Sequence, residues 1–78
     1  MVEMKNRVRE IMVSVLGIEA TALKDIVREE RMEWDSLNHM QLIFMIEDEY
    51  KIRFTIEEIT QIQTEEQLVL LVSEKTGT

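Results

Sequence analysis

The chain contains no cysteine and no proline, and only two glycines, Gly17 and Gly77, in 78 residues. Without thiols it can form neither a disulfide nor a thiolate metal site, and any thiol chemistry must arrive with a cofactor. With 45% hydrophobic residues and so few turn-formers, the composition favours a compact helical protein over a β-sandwich or a disordered tail. No apolar run approaches the roughly 20 residues of a membrane span. The N-terminal stretch MVEMKNRVRE has no apolar secretory core, and its acids do not suit an organelle transit peptide, so a cytoplasmic protein is expected. Positive charge is also scarce. Nine bases against sixteen acids leave a net charge of −7, which argues against nucleic acid as a partner. The imbalance is concentrated after Trp34: residues 35–78 carry nine acids and three bases. Such a surface suits steering toward basic patches on partner proteins, although acidity also serves solubility.

The length fits one domain, 1–78, near the lower limit for folding without staples. Met4, Val8, Ile11, Met12, Val15 and Leu16 recur in steps of three and four, which describes one face of a helix that Gly17 would stop. Thr55-Ile56-Glu57-Glu58 and Thr64-Glu65-Glu66-Gln67 both read as capping boxes. The first opens a short helix to about Ile62; the second opens one that turns Leu68, Leu71 and Val72 inward. Between Leu37 and Tyr50 lies a further helix, with Leu42, Ile43, Ile46 and Tyr50 on its core face and His39 at the edge. The segment from Gly17 to Asp35 is long for a connection between helices. Ile18, Leu23, Ile26, Val27, Met32 and Trp34 are the residues expected to fasten it, with a helical turn near residues 20–26. The predicted fold is all-α: a small bundle of three main helices plus one short helix, with a long loop between the first and second.

Ser36 stands where this acidic loop meets the apolar helix, a position at which serine ordinarily serves as the cap. Its surroundings ask for more. Ser36, Met40, Phe44 and then Glu47 or Asp48 follow helical steps along a second face. Two bulky apolar residues between a serine and a run of acids suit a contact surface, although core residues of a small bundle share that spacing. Asp35, Ser36 and His39 fall within five positions, yet a nucleophile, its base and the group orienting that base usually converge from separate elements. No Gly-x-Ser-x-Gly elbow is present, and no enzymatic activity is expected. The consecutive acids at 47–49 fan around a helix instead of converging, so no metal site is expected either. Glu57-Glu58 and Glu65-Glu66 read as first-turn acids that complement helix dipoles. A serine at a helix start remains a good target for covalent modification, because an attached phosphate would lie near free N–H groups. Asp35 beside it would help a modifying enzyme hold a metal ion or orient the hydroxyl. Phosphopantetheinylation, ordinary phosphorylation and plain capping are all compatible with this spacing.

The order of these features resembles an acyl carrier protein over nearly the whole chain. RVREIMVSVLGI is similar to the first helix of that family and its leucine-glycine exit. The resemblance continues through DSL at Asp35-Ser36-Leu37, through IEDEY, and through IEEITQIQTEEQL, which is similar to the third helix and the start of the fourth. The resemblance implies that 4′-phosphopantetheine is attached to Ser36 from coenzyme A by a phosphopantetheinyl transferase. It implies further that cargo is carried as a thioester on the arm's thiol, and that the chain is a monomer and a carrier, not a catalyst. Leu37, Met40, Phe44, Glu47 and Asp48 match positions at which family members meet acyl-loading and acyl-processing enzymes with basic patches. Leu42 and Ile46 match residues that line an acyl pocket.

Three departures refine the expectation. Met32-Glu33-Trp34 stands where the family often has glycine. Asn38 and Gln41 stand where fatty-acid carriers usually place acids, which points away from standard fatty-acid synthase enzymes. A dedicated pathway is favoured: a specialised lipid, a polyketide-like product or a surface-glycan acyl group. The Gly-Gly-x-Ser signature of peptidyl carriers is absent, yet a carrier for an activated amino acid remains an alternative. So does an unmodified helical adaptor that binds partners through Met40 and Phe44.

Overall fold

The structure is a computed structural model that describes residues 2–19 and 25–77. Its helices are α1 (Val2–Leu16), α2 (Ser36–Tyr50), α3 (Ile56–Gln61) and α4 (Glu65–Thr76). The three longer ones and the single short one match the expected bundle. α1 packs on both α2 and α4. It buries Val8, Ile11, Met12 and Leu16, with Met4 and Val15 packed at the margin. At its end Gly17 adopts φ 65° and its N–H reaches Val13 O at 2.9 Å, a left-handed closure that costs a glycine little. α2 turns Leu42, Ile43 and Ile46 into the same core, and α4 contributes Leu68, Val69 and Val72. Val69 lies beside the expected inward face, whereas Leu71 is only partly buried.

Local chemistry sets the ends of the later elements. Thr55 and Glu58 form the complete reciprocal capping box at the start of α3. At α4 only half of the expected box forms: Thr64 accepts from Gln67 N, whereas the Gln67 side chain accepts from Gln63 N at 2.8 Å, not from the cap residue. α2 ends on Lys51, a non-glycine residue at φ 56° whose N–H donates to Glu47 O.

The long loop is fastened less by a helix than by backbone pairing. Residues 20–24, where most of the expected helical turn would fall, lie outside the described residues, and the expected anchor Leu23 is among them. A 3-10 turn occurs later, at Arg28–Glu30. Arg28 N donates to Gln63 O and Glu65 N donates to Ile26 O, both at 2.8 Å. An isolated bridge pairs Val27 with Thr64, so the loop is stitched to the α3–α4 connection. Ile18, Ile26 and Trp34 are buried as anchors, but Met32 is 95% exposed and fastens nothing. It sits in the turn that delivers Trp34 inward, so its own side chain is turned out.

One ion pair in this frame runs through the interior. Arg9 of α1 grips the buried carboxylate of Glu65 with two bonds, Nε to Oε2 at 2.7 Å and Nη2 to Oε1 at 2.6 Å. Glu65 is therefore more than a first-turn acid: it ties α4 to α1 at the point where the loop crosses. The bond to Glu65 raises the Arg9 pKa further. Among the described residues no buried side-chain polar atom lacks a partner.

Candidate functional site

The site begins at the turn before α2. Asp35, not Ser36, is the cap: its Oδ1 accepts from Asn38 N at 2.9 Å. The expectation that serine caps the helix is corrected by one residue, and the physical consequence is direct. Ser36 is the first helical residue, exposed, with its hydroxyl in no hydrogen bond among the described residues. An uncommitted hydroxyl at a helix N-terminus is free to be modified, and a phosphate joined to it would lie at the positive end of α2.

The turn carrying Ser36 is held by polar bonds that the sequence pattern did not reveal. Asn38 Nδ2 donates to Glu33 O at 2.8 Å. A carboxylate at this position could not donate, so the neutral amide that departs from the fatty-acid carriers has a structural reason here. Arg28 Nε donates to Trp34 O at 3.1 Å. Trp34, only 2% exposed, donates its indole N–H to His39 Nδ1 at 2.8 Å. Because indole is a donor only, Nδ1 must accept; the ring proton then resides on Nε2, which donates to Ile59 O at 2.8 Å. His39 is thus a buried crosslink from the loop through α2 to α3, not a helix-edge residue. The correction follows from spacing: His39, Leu42 and Ile46 are three and four residues apart and share the inward face. Burial holds the His39 pKa below the ordinary imidazole value; the bond to Ile59 O opposes this, and the positive charge of Arg28 reinforces it.

The outer face of α2 carries exposed Leu37 (72%) and Phe44 (59%), with Met40 half-buried between them. Asp48 is exposed further along. Glu47 is differently employed: its Oε2 accepts from Phe54 N at 2.9 Å, closing the α2–α3 loop. Phe44, Glu47 and Asp48 also border an open cleft of about 380 Å³ with Lys51, Ile52 and Arg53. This cleft lies toward the far end of α2: even Phe44, the lining residue nearest to Ser36, stands about 12 Å along the axis at the helical rise, so it is no pocket for the serine. Ile56, 82% exposed at the start of α3, was not singled out from sequence; its place directly after the Thr55 cap was the available signal. Leu42 and Ile46 are fully buried and do not border this cleft. Among the described residues no helix is long and apolar enough to cross a membrane.

A helical bundle with a free serine hydroxyl at the head of its second helix is the arrangement of a phosphopantetheine carrier domain. The chain belongs to the phosphopantetheine attachment site family, whose model matches residues 6–72. The prosthetic group of this family is 4′-phosphopantetheine, and its carrier domains are non-catalytic and work with a phosphopantetheinyl transferase and partner enzymes. No curated protein matches the sequence significantly.

Proposed function

We propose that this chain, residues 1–78 acting as one monomeric unit, is an acyl carrier protein armed on Ser36. The observation that carries the reading is the unbonded, exposed Ser36 hydroxyl, left free because Asp35 caps α2. In the loading step the Ser36 Oγ forms a bond to the phosphorus of coenzyme A that bears the pantetheine chain. The phosphoanhydride bond breaks, adenosine 3′,5′-bisphosphate leaves and the hydroxyl proton is lost to the transferase. The arm's terminal thiol then supplies the thioester chemistry that a chain without cysteine cannot. Asp35 contributes twice, as the cap that orients Ser36 and as a carboxylate within reach of a metal ion brought by the transferase.

Leu37, Met40 and Phe44 form the apolar part of the docking face, and Asp48 its exposed charge. Glu47 adds negative potential but is primarily a loop brace. Leu42 and Ile46 are the side chains that an acyl chain would meet if it passed between the helices. The cytoplasm, where coenzyme A and the transferase are found, is the proposed location. The absence of acids at Asn38 and Gln41 favours a dedicated lipid, polyketide-like or surface-glycan pathway over housekeeping fatty-acid synthesis.

The test is intact mass after incubation with coenzyme A and a broad-specificity phosphopantetheinyl transferase, with Ser36→Ala alongside. One added phosphopantetheine on the wild type and none on the variant is the expected result. No addition to the folded wild type, by this or by its own genomic transferase, would instead support an adaptor working through Met40 and Phe44. Transfer of an activated amino acid, and not an acyl group, to the loaded form would identify the other alternative.

A further inference from the structure

The route from Ser36 to the interior is crossed by two polar bonds. His39 stands one turn nearer to Ser36 than Leu42, and two turns nearer than Ile46, on the same inward face of α2. Its Nε2 bonds Ile59 O across the α2–α3 seam, and its Nδ1 is covered by the buried Trp34 indole. The two rings lie 6.0 Å apart between centroids, tilted by 31°. Trp34 is itself clamped from both sides, by Arg28 on its carbonyl and by the Asn38 bond to the neighbouring Glu33 carbonyl. An aliphatic chain passing from Ser36 toward Leu42 and Ile46 would have to part α2 from α3 at this point. The imidazole N–H and the Ile59 carbonyl would then lose each other inside an apolar interior, and displacing the Trp34 ring as well would break its bond to His39 Nδ1. Methylene groups could replace none of these bonds. An apolar side chain at position 39 would slide aside without that penalty.

We propose that Trp34 and His39 are the specificity-determining residues of this carrier. They bar a long chain from the bundle and keep the cargo at the surface, which selects short or polar acyl groups. The proposal rests on the carrier reading and names its substrate class.

Wild type, Trp34→Ala and His39→Ala are loaded by the phosphopantetheinyl transferase with acetyl-, hexanoyl- or decanoyl-4′-phosphopantetheine from the corresponding acyl-coenzyme A, and loading is verified by intact mass. Thermal melting and Trp emission are then read for each form. The wild type is expected to melt within about 2 °C whatever the chain, since cargo held outside adds no contact unique to the folded state. Its single tryptophan should keep one emission maximum throughout the series. In at least one variant the decanoyl form should melt about 5 °C or more above the acetyl form, as methylenes become buried. A wild type that melts higher with chain length, or shifts its Trp emission with it, overturns the proposal without help from the variants. Folded variants as indifferent to chain length as the wild type overturn it too. Absence of any mass gain is a different failure, which removes the carrier reading itself.

Discussion

Asp35 and Ser36 are neighbours with opposite duties, one spent on the backbone and the other left free. Removing each should therefore read differently. Asp35→Ala should cost about 1 kcal/mol, the usual effect of a lost N-cap, whereas Ser36→Ala should stay within about 0.5 kcal/mol of wild type in urea unfolding. Equal losses would mean that the serine shares the cap. His39 makes a prediction in pH. Its folded pKa lies below the 6.5 of a free imidazole because burial disfavours the cation. Above that value both states hold the neutral ring and His39 adds no pH dependence. As pH falls below it the unfolded chain takes up the proton first, so stability declines toward the folded pKa. A melting temperature that falls from pH 7 to pH 5 in wild type but much less in His39→Leu is expected. Glu49 and Glu58 stay out of this window: bonds to Arg7 and Lys75 hold them below the ordinary 4.5.

Among the elements, α4 is the most dependent on a distant partner. Its apolar face is ordinary, but its first turn is held by Arg9 of α1, and Glu66 N is held by Asp25 Oδ1 at 3.0 Å. The Arg9 side chain keeps 18% exposure while that of Glu65 keeps 1%, so the carboxylate suffers more from losing its partner. Arg9→Ala should cost about 2–4 kcal/mol in urea unfolding, and the double variant Arg9→Met, Glu65→Leu should recover most of that. A single substitution costing less than about 1 kcal/mol would mean that water reaches Glu65 freely. α3 has no fully buried residue of its own. It is positioned by its cap, by the Lys75–Glu58 pair at 2.8 Å and by the His39 bond to Ile59 O, so it is the element most readily displaced.

At the scale of the molecule, the field is negative and one-sided along the chain. Two acids of the expected recognition run have different roles. Glu47 braces Phe54 N and cannot be reversed without disturbing the loop, whereas Asp48 makes only an exposed pair with Lys51 at 3.6 Å. Asp48→Lys is therefore the clean probe of steering. It should lower the loading rate at low salt several-fold and flatten the salt dependence of that rate, with melting unchanged. Identical kinetics at all salt concentrations would take Asp48 off the docking face.

What the sequence determined by itself is whatever depends on spacing. The helices at α1, α2 and α4, the short α3 with its Thr55–Glu58 box, the core at Leu42, Ile43 and Ile46, and the exposed serine after a long loop were all legible. Periodicity and capping act within a few residues of chain. Pairings between distant residues were decided only by the tertiary structure. Arg9 meets Glu65 across 56 positions, and Arg28 meets Gln63 in the far connection between α3 and α4. Nothing in either local pattern announces the other. The same holds for His39. Its inward phase was nearly readable, but a polar ring is admitted to an apolar core only when both nitrogens find partners. The indole of Trp34 and the carbonyl of Ile59 reach it only once the loop and α3 have closed over α2.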